Sequence, residues 1–118
     1  MQSRLLSVSY DPVLLQTRHL LLSRAGYEVT SVVGFAEAIE RSSDHFDLVI
    51  MGHSIPQPDK REIVRALRSG GCNAPVLALI RQNEPPLQEA AASIDTDPER
   101  LMQATATLLA PSNAHNSD

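Results

Sequence analysis

The chain is poor in cysteine and in aromatic residues. Its one thiol, Cys72, excludes an internal disulfide and any metal site built from several cysteines. Aromatic residues make up only 3% of the 118 residues, so the core must be aliphatic, and a stacking platform for single-stranded nucleic acid is not expected. No apolar run approaches the roughly 20 residues of a membrane span, and the first residues lack a secretory signal. We therefore expect a cytoplasmic protein that does not enter a membrane.

Concentrated positive charge is also missing. The net charge is −4 and the longest basic cluster is Lys60-Arg61, so this domain alone is not expected to bind nucleic acid or an anionic membrane surface. The first strand–helix turn, residues 7–12, lacks the glycines of a dinucleotide site. The histidines lack the spacing of metal ligands, and we expect neither a metal nor a cofactor. They are His19, His45, His53 and His115.

Hydrophobic residues make up 42% of the chain, and their spacing predicts alternating strands and helices. This alternation is typical of a parallel sheet with helices on both faces, a doubly wound α/β fold. We expect one domain over residues 1–110 and a flexible C-terminal tail over 111–118. The predicted strands are 5–8, 28–33, 48–51, 76–80 and 91–94, and the predicted helices are 12–26, 35–41, 59–69 and 98–109.

The connection between the fourth and fifth predicted strands is short. A parallel crossover usually takes a dozen or more residues and contains a helix, but here about ten residues are available. Pro85 and Pro86 block a helix before them. Ten extended residues at ~3.3 Å each can still span a strand of ~17–20 Å. We expect this crossover to have one or two helical turns at most.

Gly52 follows Leu48–Met51, an apolar run typical of a strand buried on both faces. In open α/β sheets, ligands and chemistry collect beyond the carboxyl ends of such strands. A glycine at that position offers no reactive group. The third strand therefore leads to a site that lacks a functional side chain.

The order of these elements resembles the response-regulator receiver domain of two-component signalling over residues 4–109. The resemblance implies a flavodoxin-like receiver fold, (βα)5, here with a shortened or missing fourth helix. It rests on several short matches in a shared order. They are Asp11-Pro12, Ala25 to Val29, Ala36 to Ile39, Asp47 to Val49, Ile55-Pro56, Pro75-Val76 and Asp97 to Leu101.

The family's phosphorylation residues are replaced in this chain. Its acidic pair falls on Ser9 and Tyr10, its acceptor aspartate on Gly52, its hydroxyl position on Ile80, and its lysine near Ile94. Phosphoryl transfer to a carboxylate needs that nucleophile and a metal ion to neutralise developing charge. The resemblance therefore implies a pseudo-receiver of a phosphorelay that is neither phosphorylated nor an enzyme, and that acts by protein–protein interaction.

Two alternatives remain open at this point. The chain could be a response regulator phosphorylated at an unconventional residue such as Asp11 or His53, although we expect Asp11 to cap a helix and His53 and Ser54 to have loop roles. It could instead be a small flavodoxin-like enzyme or nucleotide binder. We expect Tyr10 to fill the emptied acidic pocket and Asp47 to cap the far end of the sheet.

Two further expectations concern the surface. Cys72, after Gly70-Gly71, is predicted to be a surface or half-buried thiol. The loss of most of a helix before the fifth strand should expose an edge for self-association or a protein partner. Its candidate interface residues in the last helix are Leu101, Ala106, Leu108 and Leu109.

Overall fold

The structure, a computed structural model, describes residues 2–110. Strands and helices alternate except between the fourth and fifth strands. The predicted tail, residues 111–118, lies outside the described residues. The elements are β1 (Arg4–Ser9), α1 (Pro12–Arg24), β2 (Glu28–Val33), α2 (Phe35–Glu40), β3 (Leu48–Met51), α3 (Gln57–Ser69), β4 (Val76–Leu79), β5 (Ala92–Ile94) and α4 (Pro98–Leu109).

The five strands form one parallel sheet in the order β2-β1-β3-β4-β5. This order reverses direction at β1, as in flavodoxin-like folds, and places a crevice beyond the carboxyl ends of β1 and β3. The central strands β3 and β4 are completely buried, because a doubly wound sheet covers both faces with helices. The predicted fold class is confirmed.

Alternate residues of the central strands enter two separate cores. Val49 and Met51 of β3 pack with α2 and α3, whereas Leu48 and Ile50 pack with α1 and α4. Successive side chains of a strand point to opposite faces, so a continuous apolar run supplies both cores. This packing places α2 and α3 on one face of the sheet and α1 and α4 on the other.

Local sequence signals fix most helix boundaries. Asp11 caps α1 before Pro12, and Gly26, with φ of 100°, follows the end of this helix. The predicted start of the third helix at Asp59 is wrong by two residues, because α3 begins at Gln57 after Pro56. A proline fixes φ and is tolerated at the start of a helix, so Pro56 sets this boundary and Asp59 lies inside the first turn.

The connection from β4 to β5 has no helix in residues 80–91, as expected. Asn83 adopts a left-handed conformation with φ of 71° before the two prolines. Leu87 is only 2% exposed, and its backbone N–H donates to Ser93 Oγ at 3.0 Å. One buried leucine therefore anchors the crossover to the domain.

None of the helices within residues 2–110 has both the length and the apolar character that a bilayer crossing requires.

Candidate functional site

The carboxyl edge of the sheet brings the replaced positions together. Ser9 ends β1, and Gly52 follows β3, its N–H donating to the Val8 carbonyl of β1 at 2.9 Å. Ile80 follows β4, and its N–H donates to the carbonyl of Ile94, the last residue of β5, at 2.8 Å. The replaced positions therefore lie together at the carboxyl edge of the sheet, where sites of open α/β folds form.

A guanidinium group fills the space beside Gly52. A Cβ built on Gly52 would lie 2.7 Å from Arg18 Nη1, 3.3 Å from the Val8 carbonyl oxygen and 3.4 Å from Ser9 Oγ. Arg18 comes from the middle of α1 and is only 7% exposed. We expected Tyr10 to fill the emptied pocket, but the side chain closest to this position belongs to Arg18. The edge therefore carries a cation where the resemblance places an acidic side chain.

Arg18 is incompletely paired. Its Nη2 lies 3.4 Å from His53 Nδ1, a long contact, and its buried Nη1 has no hydrogen-bond acceptor among residues 2–110. Burial lowers the pKa of Arg18, and the negative charge of Asp11 partly offsets this effect. A buried cation with donors left over is unusual in a folded protein.

Asp11 is engaged in helix capping, as predicted. Its Oδ1 accepts the backbone N–H of Val13 at 2.9 Å and that of Leu14 at 3.3 Å. Both donors belong to the first turn of α1, where a carboxylate also benefits from the helix dipole. The side chain that could have served as an unconventional acceptor is thus committed to the start of a helix.

Serine hydroxyls join the first and third strand–helix loops. Ser9 Oγ lies 3.2 Å from Ser54 Oγ and accepts the Asp11 N–H at 3.0 Å. Ser54 Oγ also accepts the Tyr10 N–H at 2.9 Å. The two loops are therefore connected by neutral hydrogen bonds.

Tyr10 contacts the start of α3. Its hydroxyl donates to Asp59 Oδ2 at 2.7 Å, and its ring packs against the core formed with α2 and α3. Burial raises the pKa of Tyr10, and the hydrogen bond and negative charge of Asp59 raise it further. The phenol therefore stays protonated and acts as a structural donor.

Lys60 brings a second buried cation to the same edge. The side chain is fully buried in α3, and its Nζ donates to the carbonyl oxygen of Leu79, the last residue of β4, at 2.9 Å. Burial lowers the pKa of Lys60, Glu84 opposes this shift and Arg81 adds to it. The amine ties α3 to the carboxyl end of β4.

The pKa of His53 reflects the charges at this edge of the sheet. Burial lowers the pKa of its imidazole, and the positive charges of Arg18, Arg81 and Lys60 lower it further, against a smaller opposing effect of Asp11. The charges around His53 are therefore mainly positive.

These residues do not fit Mg²⁺, the ion that phosphoryl transfer at such an edge would require. Mg²⁺ binds oxygen ligands that usually include one or two carboxylates. Gly52 has no side chain, the Asp11 carboxylate caps α1, and the Arg18 guanidinium lies against Gly52. Within residues 2–110, no three His, Cys, Asp or Glu side chains cluster closely enough to hold a metal ion.

The remaining sequence candidates lie elsewhere. Asp47 is at the opposite, amino end of the sheet, where its Oδ2 accepts the Arg4 N–H at 2.7 Å, as its predicted capping role requires.

Cys72 is 5% exposed in the core, so the predicted surface or half-buried thiol is wrong. Its burial follows from its contact with the apolar side of α3.

The interface candidates differ in exposure. Leu101 is 3% exposed and belongs to the core on the α1 side of the sheet, so it cannot contact a partner directly. Leu108 and Leu109 are half-buried against the same core, and Ala106 is exposed. The helical spacing from Leu101 to Leu108 predicts one shared face, and most of that face covers the sheet.

Sequence reasoning missed Arg18 and Lys60. Arg18 lies three residues after Leu15 and four before Leu22, both buried, and Lys60 lies three and four residues before buried Ile63 and Val64. Residues at these spacings share one face of a helix. A charged residue on a core-facing stripe was the signal available in the sequence.

No protein-family model matches the sequence, and no curated protein matches it. Solved structures do match. The chemotaxis response regulator CheY4 of Vibrio cholerae aligns with a TM-score of 0.78 at 24% identity, over 92% of this chain and 100% of that one. The receiver domain of sensor histidine kinase PA1611 from Pseudomonas aeruginosa PAO1, solved with a magnesium ion in its active-site cleft, aligns with a TM-score of 0.77 at 19% identity, over 94% and 100%.

A third match is the N-terminal domain of a response regulator/sensory box/GGDEF three-domain protein from Carboxydothermus hydrogenoformans. Its TM-score is 0.76 at 21% identity, over 90% of this chain and 93% of that one. These likenesses establish the fold. The chain has the CheY-like receiver fold of two-component signalling proteins.

Proposed function

We propose that this protein is a receiver-like regulatory module of two-component signal transduction that is not phosphorylated and acts by protein–protein interaction in the cytoplasm. The observation that carries the proposal is the Arg18 guanidinium beside Gly52. A cation at this place repels Mg²⁺, and Gly52 itself offers no carboxylate to accept a phosphoryl group. The module binds and does not catalyse.

Support for an interaction role comes from the β5 edge. A groove of about 480 Å³ lies open between β5, the edge strand of the sheet, and α4. Its walls include Ile94 and Leu108 and the small side chains of Ala92 and Ala104. Small side chains let another chain approach closely, and an exposed apolar edge is a typical docking surface.

The test is incubation with acetyl phosphate and Mg²⁺, followed by intact mass measurement. We expect no phosphorylated species, whereas a chemotaxis response regulator treated in parallel should be modified. Phosphorylation in good yield would contradict the proposal. In that case, Asp11→Asn and His53→Gln would identify an unconventional acceptor, since each removes one candidate.

Gly52→Asp sharpens this experiment. The new carboxylate would meet the far end of the flexible Arg18 side chain, which can shift and form an ion pair. We expect Gly52→Asp to remain unmodified because Ser9 and Tyr10 still supply no metal-binding carboxylate. Phosphorylation of Gly52→Asp alone would show that the edge tolerates Mg²⁺ despite Arg18.

A further inference from the structure

The outer side of β2 is an open row of backbone donors and acceptors. The Glu28 N–H donates to the carbonyl of Ser3, just before β1, at 2.9 Å. Backbone groups alternate between the two sides of a strand, so those of Val29 and Ser31 point away from β1. β2 is an edge of the sheet, and no strand within residues 2–110 pairs with its outer side.

This edge lacks the usual protection against pairing. Proteins blunt open edges with short strands, prolines, lysines or bulges. β2 contains neither proline nor lysine, and its register with β1 is unbroken from Glu28 to Val33. The opposite edge is protected by its shortness, since β5 has three residues and β2 has six. β2 is therefore the edge suited to accept another strand.

Glu37 closes one end of this edge and leaves its centre open. The Glu37 Oε1 accepts the Val33 N–H at 2.8 Å, which removes that donor. Val29 and Ser31 then offer donors and acceptors in equal number. In antiparallel pairing about Thr30, Val29 of each chain lies opposite Ser31 of the other, and residues paired in this way exchange both of their hydrogen bonds. A second copy of this chain can therefore satisfy the open groups of both copies.

The flank of α1 above this edge carries no Asp, Glu, Lys or Arg. His19 Nδ1 lies 2.8 Å from Ser31 Oγ of β2, so this flank of α1 faces the edge. The helical repeat places Gln16, Leu20 and Ser23 in one stripe with His19. Leu20 is 51% exposed in the middle of that stripe. Two such flanks can approach each other without bringing like charges together.

Exposed apolar side chains gather on this side of the molecule. The solvent-facing positions of α3 are charged, as is usual for a helix on the surface; they include Glu62, Arg65 and Arg68. Within residues 2–110, the exposed large apolar residues all belong to α1, β2 and the start of α2. They are Val13, Leu20, Val33 and Phe35. A cluster of this kind beside an open strand is typical of a contact surface.

We propose that two copies of this chain associate through β2, so that their sheets join into one sheet with a two-fold axis at Thr30. The axis is perpendicular to the joined sheet, so both α1 helices lie on the same face and Leu20 of each faces the other copy. Closed two-fold dimers are the commonest soluble oligomers. This surface goes beyond the proposed interaction role, because the β5–α4 edges stay free at the two ends of the joined sheet.

A cysteine on the proposed axis tests this pairing directly. Thr30 would lie opposite its own copy in a pair that is not hydrogen-bonded, where Cα atoms are about 4.5 Å apart, a distance that a disulfide can span. Mild oxidation of Thr30→Cys should therefore give a covalent dimer on a non-reducing gel. The native thiol, Cys72, is buried and should not react. Thr107→Cys, at an exposed position of α4, is the matched control and should stay monomeric on the gel.

Sedimentation of the full chain over a range of concentrations measures the association itself. Leu20→Glu would bury a charge between the two copies and should weaken association about tenfold or more. Thr17→Glu adds the same charge on the side of α1 that faces α4 and should leave association unchanged. Circular dichroism checks the fold of both variants.

Hydrogen exchange tests the unmodified chain. The Val29 and Ser31 amides should become more protected as the protein concentration rises, because they are bonded only in the dimer. The Val33 amide, already bonded to Glu37, should show a smaller change.

Three results would overturn this dimer. They are an unmodified chain that stays monomeric up to about 1 mM, exchange of the Val29 and Ser31 amides that does not depend on concentration, and cross-linking of Thr107→Cys to the same extent as Thr30→Cys. A strand of another protein bound at β2 of a monomeric chain would also exclude the second copy as the occupant. Phosphorylation is measured separately by mass, so the two proposals can fail independently.

Discussion

Arg18 and Lys60 place two cationic side chains inside the carboxyl edge of the sheet. Lys60 donates to the Leu79 carbonyl, so its charge is at least partly solvated by the backbone. Arg18 has no such acceptor for Nη1 among the described residues. The two side chains therefore differ: Lys60 stabilises the end of a strand, whereas Arg18 keeps a buried donor without an acceptor among the described residues.

The depressed pKa of His53 predicts a pH dependence of folding. Because the folded state holds this imidazole proton more weakly, the unfolded chain takes it up first when the pH falls below about 6.5. Stability should therefore decrease from that pH down to the folded-state pKa and change no further through this group. Urea unfolding at a series of pH values measures the slope.

His53→Gln should remove that part of the slope. The same substitution at His45, whose side chain is 81% exposed at the other end of the sheet, serves as the matched control and should retain it. A His53 pKa at or above the ordinary histidine value, read from its ring resonances, would contradict the positive potential described here.

The bond from Tyr10 to Asp59 predicts a measurable coupling between the first loop and α3. Tyr10→Phe removes the hydroxyl and should cost about 1 kcal/mol of unfolding free energy. Asp59→Asn should lower the unfolding free energy less in the Tyr10→Phe background than in the unmodified chain, because both changes remove the same interaction. A double-mutant cycle by denaturant unfolding measures this coupling, and full additivity would show that the bond contributes nothing.

At the scale of elements, sequence patterns located the strands and helices to within about two residues. Short apolar runs, Asp11-Pro12 and Asp97-Pro98 are local signals, and local signals determine element boundaries. The start of α3 was misplaced because Pro56 and Asp59 both resemble helix starts. Gly52 was identified from the sequence as a site position without a functional side chain, because it directly follows β3.

The contents of the site were harder to predict. Arg18 reaches Gly52 across a separation of 34 residues, and nothing in the local sequence specifies which long side chain enters an empty space. Packing at that distance depends on how α1 lies on the sheet. The burial of Cys72 was missed for the same reason. Gly70 and Gly71 before it indicate a turn, but they do not indicate how deeply the following side chain is buried.

The crossover from β4 to β5 depends on Leu87. Leu87→Ala removes the buried side chain that anchors residues 80–91, and we expect a loss of about 2 kcal/mol or more of unfolding free energy. Gln88→Ala, at the exposed neighbouring position, should change stability by less than about 0.5 kcal/mol. Equal effects of the two substitutions in urea unfolding would show that the crossover is not anchored by this side chain.

At the scale of the whole molecule, the β5–α4 edge is the surface proposed for association. Ala106→Glu places a charge on the exposed part of α4, and desolvating that charge should weaken self-association or partner binding without unfolding the domain. Sedimentation and binding measurements give the affinity, and circular dichroism monitors the fold. Ala36→Glu, exposed on α2 across the sheet, is the matched control.

A strictly monomeric protein whose partners bind the Ala106→Glu variant with unchanged affinity would exclude this edge as the interface.

The two outer strands of the sheet are unequal in length, six residues in β2 and three in β5. Their hydrogen-bonded ladders should therefore open with different frequencies, because local opening requires less free energy where fewer interactions are broken. In native-state hydrogen exchange, the Ile80 and Ala91 amides, which bond across β4 and β5, should exchange with deuterium well before the Val49 amide in the centre. The sheet would then open from its β5 side first, while the rest of the domain stays folded.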